Sequence, residues 1–318
     1  MSATTAEEPR ELQDPRLGTK SAKSTKRQNA LRHPDRRGRS PIFDAPTRTG
    51  LALRYLTLVA VLLISIGPML WELSTSLKSK AEDVFTQNIE LLPQHPTLGN
   101  YGEVQRTIPV WHFAVNSLTV AAINVTGNII GATLAGYVLA RLKFKGRKLL
   151  LGVFVSTLIL PAEVTIISKF QMITSMGLGD TILGVCLPDM IAMTNVLLMR
   201  NAFLALPREV EEAAVIDGAT TLQRLRFVGL PAVKGTLSVI SIFAFIGAWD
   251  DFLWPLLVLQ TPDKLTLTVG LSYLDGQWSH DPRTIAAGTM IALVPILLLF
   301  MVLQRFFFRG VSEGAIKG

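Results

Sequence analysis

Residues 212–218 read Glu212-Ala213-Ala214-Val215-Ile216-Asp217-Gly218, a polar helix-and-turn element held between two apolar segments, each long enough to cross a bilayer. Soluble chains rarely set such an element amid so much apolar sequence. A membrane protein does so where a partner in the cytoplasm must grip it and do mechanical work on it. The surrounding loop, 206–231, reads LPREVEEAAVIDGATTLQRLRFVGLP. Pro207 occupies a first helical position and Glu209, Glu211 and Glu212 crowd the first turn, choices that favour helix initiation and oppose the positive end of the dipole. The helix is expected to run for about eleven residues, roughly 16 Å, until Gly218 supplies the left-handed geometry that ends it. Thr220 or Thr221 caps a following helix through Leu222, Leu225 and Phe227 towards Pro231. Small residues at Ala213, Ala214 and Gly218 leave a thin profile that a partner groove can approach. The competing reading is an amphipathic connector lying on lipid headgroups. Such a helix carries Lys on its polar face and bulky anchors on the other, whereas this one is acidic where it would meet anionic lipid.

Outward from this loop the chain is mostly apolar: 49% of its 318 residues are hydrophobic and only 17% are charged, which excludes an ordinary soluble domain. Six apolar runs have the length expected of helices crossing a hydrocarbon core of about 30 Å: 51–73, 113–139, 149–172, 181–203, 233–259 and 285–308. Each contains Gly, Pro, Asn or Thr, which bundled membrane helices tolerate because neighbours re-satisfy the freed backbone. The expected fold class is an all-α membrane protein with six transmembrane helices.

Charge is clustered. Residues 1–50 carry eleven Lys and Arg against six Asp and Glu, with no apolar periodicity to fold on. This segment reads as a disordered basic cytoplasmic tail anchoring the positive side of the membrane, in preference to a nucleic-acid-binding arm. It is not read as a secretory signal, because fifty polar residues precede the first apolar run. Arg141, Lys143, Lys145, Arg147 and Lys148 follow the second run, Arg200, Arg208, Arg224, Arg226 and Lys234 the fourth, and Arg305, Arg309 and Lys317 close the chain. In the alternate loops acids match or outnumber the bases. The basic loops therefore share one face, which predicts both termini in the cytoplasm, N-in and C-in. A single cysteine, Cys186, and four scattered His point to no disulfide within the chain and no metal site.

The stretch EAAVIDGA, followed by Leu230-Pro231, resembles the EAA motif of permease subunits of bacterial ATP-driven (ABC) importers. In that family the element is the coupling helix docked in a cleft of the ATPase. The resemblance implies Glu212, Ala213, Ala214, Asp217 and Gly218 as the ATPase-coupling residues, within a coupling loop spanning 204–232. AGYVLARLKFKGRK at 135–148, GAWDDFLWPLLVL at 247–259 and GVSEGAIKG at 310–318 are similar to the carbohydrate branch, in particular the smaller permease of maltose-type importers. Family members usually have Asn where this chain has Asp250. The likeness covers residues 51–318 and implies a type I ABC importer permease (MetI-like) fold in the bacterial plasma membrane. It further implies four kinds of partner: a second homologous permease, two ATP-binding subunits, an extracytoplasmic sugar-binding protein and membrane lipid, with no nucleic acid. No G-x-x-x-x-G-K-[ST] run occurs, so ATP and its Mg belong to the partner ATPase and this chain is a transport subunit with no catalytic residue or cofactor of its own.

Charges inside a bilayer are costly and normally face protein or water. Asp250 and Asp251 lie beside Trp249 and Trp254 in the fifth run, acid plus aromatic as a sugar pathway requires. A structural use of Asp251, bonding backbone freed by Pro255, competes with that role. Asn116, Asn124 and Asn128 fall on one face of the second run beside a Gly127/Gly131 pair, a face that serves either as interhelical glue or as a ligand row. Glu163 after Pro161 and Asp189 after Pro188 are lone acids near breaks. The substrate-pathway candidates are thus Asn116, Asn128, Glu163, Trp249, Asp250, Asp251 and Trp254. Tyr273, Trp278 and His280 in the 260–283 loop are candidates to touch a binding protein, the alternative being a plain connector. Two other functions fit the pattern less well: the same machine moving a polyol phosphate or amino-acid derivative, and an ion-coupled secondary transporter working alone.

Overall fold

An apolar run in hydrocarbon must satisfy its backbone within the protein, and the α-helix does so within one segment. The computed structural model, accordingly all-α, describes residues 48–85, 90–276 and 281–315; the basic tail up to residue 47, Trp278, His280 and residues 316–318 lie outside the described residues. The chain falls into two units, 1–65 and 66–318. The described part of the first is the opening of α1 (Arg48–Leu77), a helix of 30 residues.

In the second unit α1 is followed by α2 (Gly99–Thr107), α3 (Val110–Arg141), α4 (Arg147–Thr157), α5 (Ile166–Ser175), α6 (Ile182–Cys186) and α7 (Met193–Ala205). Then come α8 (Arg208–Ile216), α9 (Thr221–Ala232), α10 (Lys234–Asp250), α11 (Leu253–Val258), α12 (Leu267–Ser272) and α13 (Pro282–Ala315). Among the described residues α1, α3 and α13 are long and apolar enough to cross a membrane, and the count reaches five if α6–α7 (bent 46°) and α9–α10 (bent 82°) are each one broken span.

Three of the six apolar runs are not continuous helices, 181–203 being the one divided into α6 and α7. The run 149–172 divides into α4 and α5, separated by an irregular stretch and a 3-10 turn at Ala162–Thr165. Pro161 accounts for the break, since it lacks an N–H and pushes Leu160 out of the helical region. In the run 233–259, α10 stops at Asp250 and Asp251 is extended at ψ 121°. There the ring of Pro255 would meet the Asp251 carbonyl if the helix continued.

The long α3 is the beam on which the second unit is built. Its small residues admit α7 and the segment before it: a Cβ at Gly127 would lie 2.2 Å from Met190, one at Gly131 2.5 Å from Ile191, and one at Gly136 2.9 Å from the Arg200 nitrogen. The Gly127/Gly131 pair therefore seats the non-helical link between α6 and α7 against α3. Two apolar cores flank the beam. One gathers Phe113, Val120, Cys186, Trp249, Trp254 and Leu267. The other gathers Tyr137, Met199, Phe203, Leu225 and Ile240, with Tyr137 and Phe203 edge to face at 5.3 Å. Trp111, Val115, Ile130 and Leu134 of α3 and Val294, Leu298 and Val302 of α13 are exposed, an apolar outer surface suited to lipid.

Two carboxylates organise the loops. Glu82 accepts the backbone N–H groups of Gln94 (2.9 Å), His95 (3.0 Å) and Ser79 (3.2 Å). The Gln94 N–H, foremost among these donors, holds its pKa down at about 2. Asp180 sits at φ 53° and joins the segment before α6 to the one after α11. Its carboxylate takes the Lys264 ammonium at 2.8 Å, the Thr261 hydroxyl at 2.6 Å and the backbone N–H of Gln260 at 2.9 Å. Lys264 first, then Thr261, hold the Asp180 carboxyl well below the usual range.

Both pKa values are lowered on folding, so their stabilisation is complete above the unfolded carboxylate range and is lost as pH falls through the folded values. The melting temperature of the purified protein in detergent should be flat above the ordinary Glu value of 4.5 and fall towards pH 2. Glu82→Gln should lower the plateau and flatten that slope; a wild-type slope in the variant would refute the assignment.

Candidate functional site

The element read from residues 212–218 is built much as its sequence implies, with one shift. Helix α8 begins at Arg208, and Pro207, with φ −56° and ψ 137°, is the residue before its first turn, so the helix has nine residues. Gly218 has φ +79°, with open space where a Cβ would stand. The Ala219 N–H bonds the Ala214 carbonyl (2.9 Å) and the Gly218 N–H bonds that of Val215 (3.0 Å). This double closure is the one a left-handed glycine permits at a helix end. Thr220, not Thr221, then caps α9 through a reciprocal box with Gln223. Beyond it the chain passes through a π-helical stretch at Arg224–Gly229 instead of a regular helix.

Glu212, Ala213, Asp217 and Gly218 are exposed along one ridge with Ile216, whereas Ala214 is half-buried. Ile216 is 86% exposed, a large apolar side chain presented by a polar loop. Glu211 points the other way. It is buried against Arg141, the last residue of α3, with Oε1 3.5 Å from Nε and both side chains at 10% exposure or less. Arg141 also donates from Nη2 to the Leu206 carbonyl at 2.7 Å. The sequence assigned Arg141 to topology and Glu211 to the helix dipole. Nothing in their spacing, 70 residues apart, announced that they meet.

A cavity of about 420 Å³ opens between α3, the α6–α7 break and α10. Asn124, Asn128, Asp189, Thr194, Asn195 and Asp251 supply its polar lining. Asn128 holds the break together: its Oδ1 accepts the Ala192 N–H (2.8 Å) and the Asn195 amide (2.9 Å), and its own amide donates to the Asn124 carbonyl (3.0 Å). Because a backbone N–H can only donate, the first of these bonds fixes the amide orientation of Asn128, and hence of Asn195. An adjoining cavity of about 300 Å³ shares Asp189 and Asp251 and adds Glu163, Lys169 and Trp254. Lys169 pairs with Asp189 at 3.1 Å.

The sequence candidates thus separate. Asn128, Glu163, Asp251 and Trp254 line these cavities, joined by Asp189 and by Asn195 and Lys169, which the sequence reading passed over. Asn116 clamps the carbonyls of Asp263 (2.8 Å) and Leu265 (3.0 Å). Trp249 is packed in the core, stacked on Phe245 at 5.5 Å, and its indole N–H is spent on the Ala292 carbonyl. Asp250 is exposed at the end of α10. Asp251 accepts the Trp254 N–H at 3.3 Å while its carbonyl takes the Thr268 hydroxyl, so it serves the helix break as well as the cavity. Tyr273 is exposed.

A helical membrane bundle with a polar cavity and a protruding capped helix defines a transport component. The chain belongs to the family described as binding-protein-dependent transport system inner membrane component, whose model matches residues 118–313. It is accordingly a multi-pass permease subunit of a binding-protein-dependent ABC importer, not an enzyme. It is 30% identical over 272 residues to the sulfoquinovosyl glycerol transport system permease protein SmoH of Agrobacterium fabrum, covering 85% of this chain and 95% of that one. It is 29% identical over 286 residues to the arabinooligosaccharides transport system permease protein AraQ of Halalkalibacterium halodurans, covering 89% and 100%. In fold it is similar to a chain of a bacterial ABC transporter involved in the import of the acidic polysaccharide alginate, with TM-score 0.75 and 23% identity over 84% of this chain and all of that one.

Asn128→Ala should leave the Ala192 N–H and the Asn195 amide without their partner, at a cost of about 1–3 kcal/mol for each buried group left unpaired. A melting temperature several degrees lower in detergent is the expected result, and an unchanged one would mean that the break is held by other contacts.

Proposed function

We propose that this permease moves carbohydrate across the bacterial plasma membrane by alternating access, driven by ATP hydrolysed on separate subunits. The observation that carries the reading is the ridge on α8. Glu212, Ala213 and the Ile216–Gly218 turn stand clear of the bundle in a shape that a cleft can enclose. In this account α4 and α5 together make the third of six crossings. The basic loops 141–148 and 200–234 then lie in the cytoplasm with both termini, as the distribution of Lys and Arg favours. Residues 1–50 form a basic cytoplasmic tail and 51–318 the permease domain.

The complex comprises a second homologous permease, two ATP-binding subunits that hold ATP and Mg, and an extracytoplasmic sugar-binding protein reached by the 260–283 loop. Closure of the ATPase dimer draws α8 inward, and the crossings rock to expose the cavity to each side in turn. The solute class is supported by the sugar-bearing names of the two relatives and by the cavity wall. Its carboxylates and amide oxygens accept hydroxyl hydrogens, and its indole offers an apolar face.

Valine at position 218 would be forced into a left-handed conformation costing about 1–2 kcal/mol at φ +79°. Gly218→Val should reduce uptake to background while the chain still inserts, and Gly218→Asn should retain a substantial part of it. Uptake by the wild type should survive collapse of the proton gradient and stop when ATP is depleted. The opposite pattern would point to ion coupling.

A further inference from the structure

We infer that Arg141 and Glu211 form the joint through which movement of α8 reaches the cavity wall, so that both act as positioning residues in transport. The inference rests on the reading of α8 as the docking helix and names how that helix is attached to the membrane bundle. Arg141 holds the segment that carries α8 at two points. It donates to the Leu206 carbonyl, just ahead of the helix, at 2.7 Å, and its Nε lies 3.5 Å from Oε1 of Glu211 on the helix itself. One contact would fix where the helix sits; two fix its direction as well.

Arg141 is also the last residue of α3. Asn128 lies thirteen residues earlier on that helix, about 20 Å away, and holds Ala192 and Asn195 across the α6–α7 break. A continuous route of ion pair, backbone helix and hydrogen bonds thus runs from α8 to the polar wall of the cavity. Other bases border the same pocket, yet among the described residues the ion pair of Glu211 is with Arg141: Arg147 donates to the Ala140 and Leu142 carbonyls, Arg224 donates to the Thr221 hydroxyl, and Lys143 and Arg208 face solvent. A buried ion pair is weak evidence for stability, because desolvation offsets most of its attraction. What it offers over an apolar contact of the same size is a specific partner, because either buried charge is stranded without the other.

The test separates a joint from a prop. Removing one partner strands a buried charge and weakens assembly under either role; replacing both leaves no stranded charge. The complex with its ATPase and second permease is prepared in lipid nanodiscs, with Cys186→Ser and Thr194→Cys placing one thiol on the cavity wall. The labelling rate of that thiol is read with and without ATP and vanadate. The otherwise wild-type chain should show a nucleotide-driven change of at least tenfold. Arg141→Met and Glu211→Met should each lower the yield of complex. The double variant should assemble as the wild type does, yet change its labelling less than twofold. A double variant that assembles and keeps the tenfold change would overturn the inference. If the wild-type pairing itself shows no nucleotide-driven change, the reading of α8 fails before the joint does.

Discussion

Every break in a membrane helix releases N–H and C=O groups that hydrocarbon cannot satisfy, and this protein rests on how its breaks are closed. The break between α6 and α7 is closed from α3 by Asn128, and the one after α10 by Asp251 and Thr268. Asp180, ahead of α6, ties its own segment to residues 260–264 with one carboxylate. Each closure uses a polar side chain, and two of them, Asn128 and Asp251, also line the polar cavity. Cavity and fold share a cause.

The same economy explains the beam-like role of α3. Asn116 pins the loop before α12 at one end, Asn128 pins the α6–α7 break at the middle, and Arg141 pins α8 at the other end. The glycines between them let the α7 segment approach so closely that a Cβ at Gly127 or Gly131 would clash. A helix fixed in this way to three separate elements cannot move without moving them.

Much of this was legible in the sequence. The apolar runs declared a helical membrane protein, and the left-handed glycine at 218 and a cap at Thr220 or Thr221 were legible from local chemistry that acts over a few residues. The Asn116–Asn124–Asn128 row was legible as a face, but whether it was glue or a ligand row depended on what stood opposite. The run 149–172 looked like one span because hydropathy ignores the break that Pro161 imposes. Trp249 and Trp254 sit in one motif and one core, yet only Trp254 also borders a cavity. Arg141 was hidden among five bases that looked equivalent. Pairings such as Arg141 with Glu211 and Lys169 with Asp189 depend on tertiary placement, and no local pattern encodes them.

The account stands on α8 being gripped from the cytoplasm. Photo-crosslinking in intact cells from a benzophenone side chain at position 216, where the native isoleucine is 86% exposed, tests this directly. The account predicts an adduct with an ATP-binding subunit that forms regardless of quenchers unable to cross the membrane. Adducts with lipid alone, or complete suppression by a quencher added outside the cell, would contradict it.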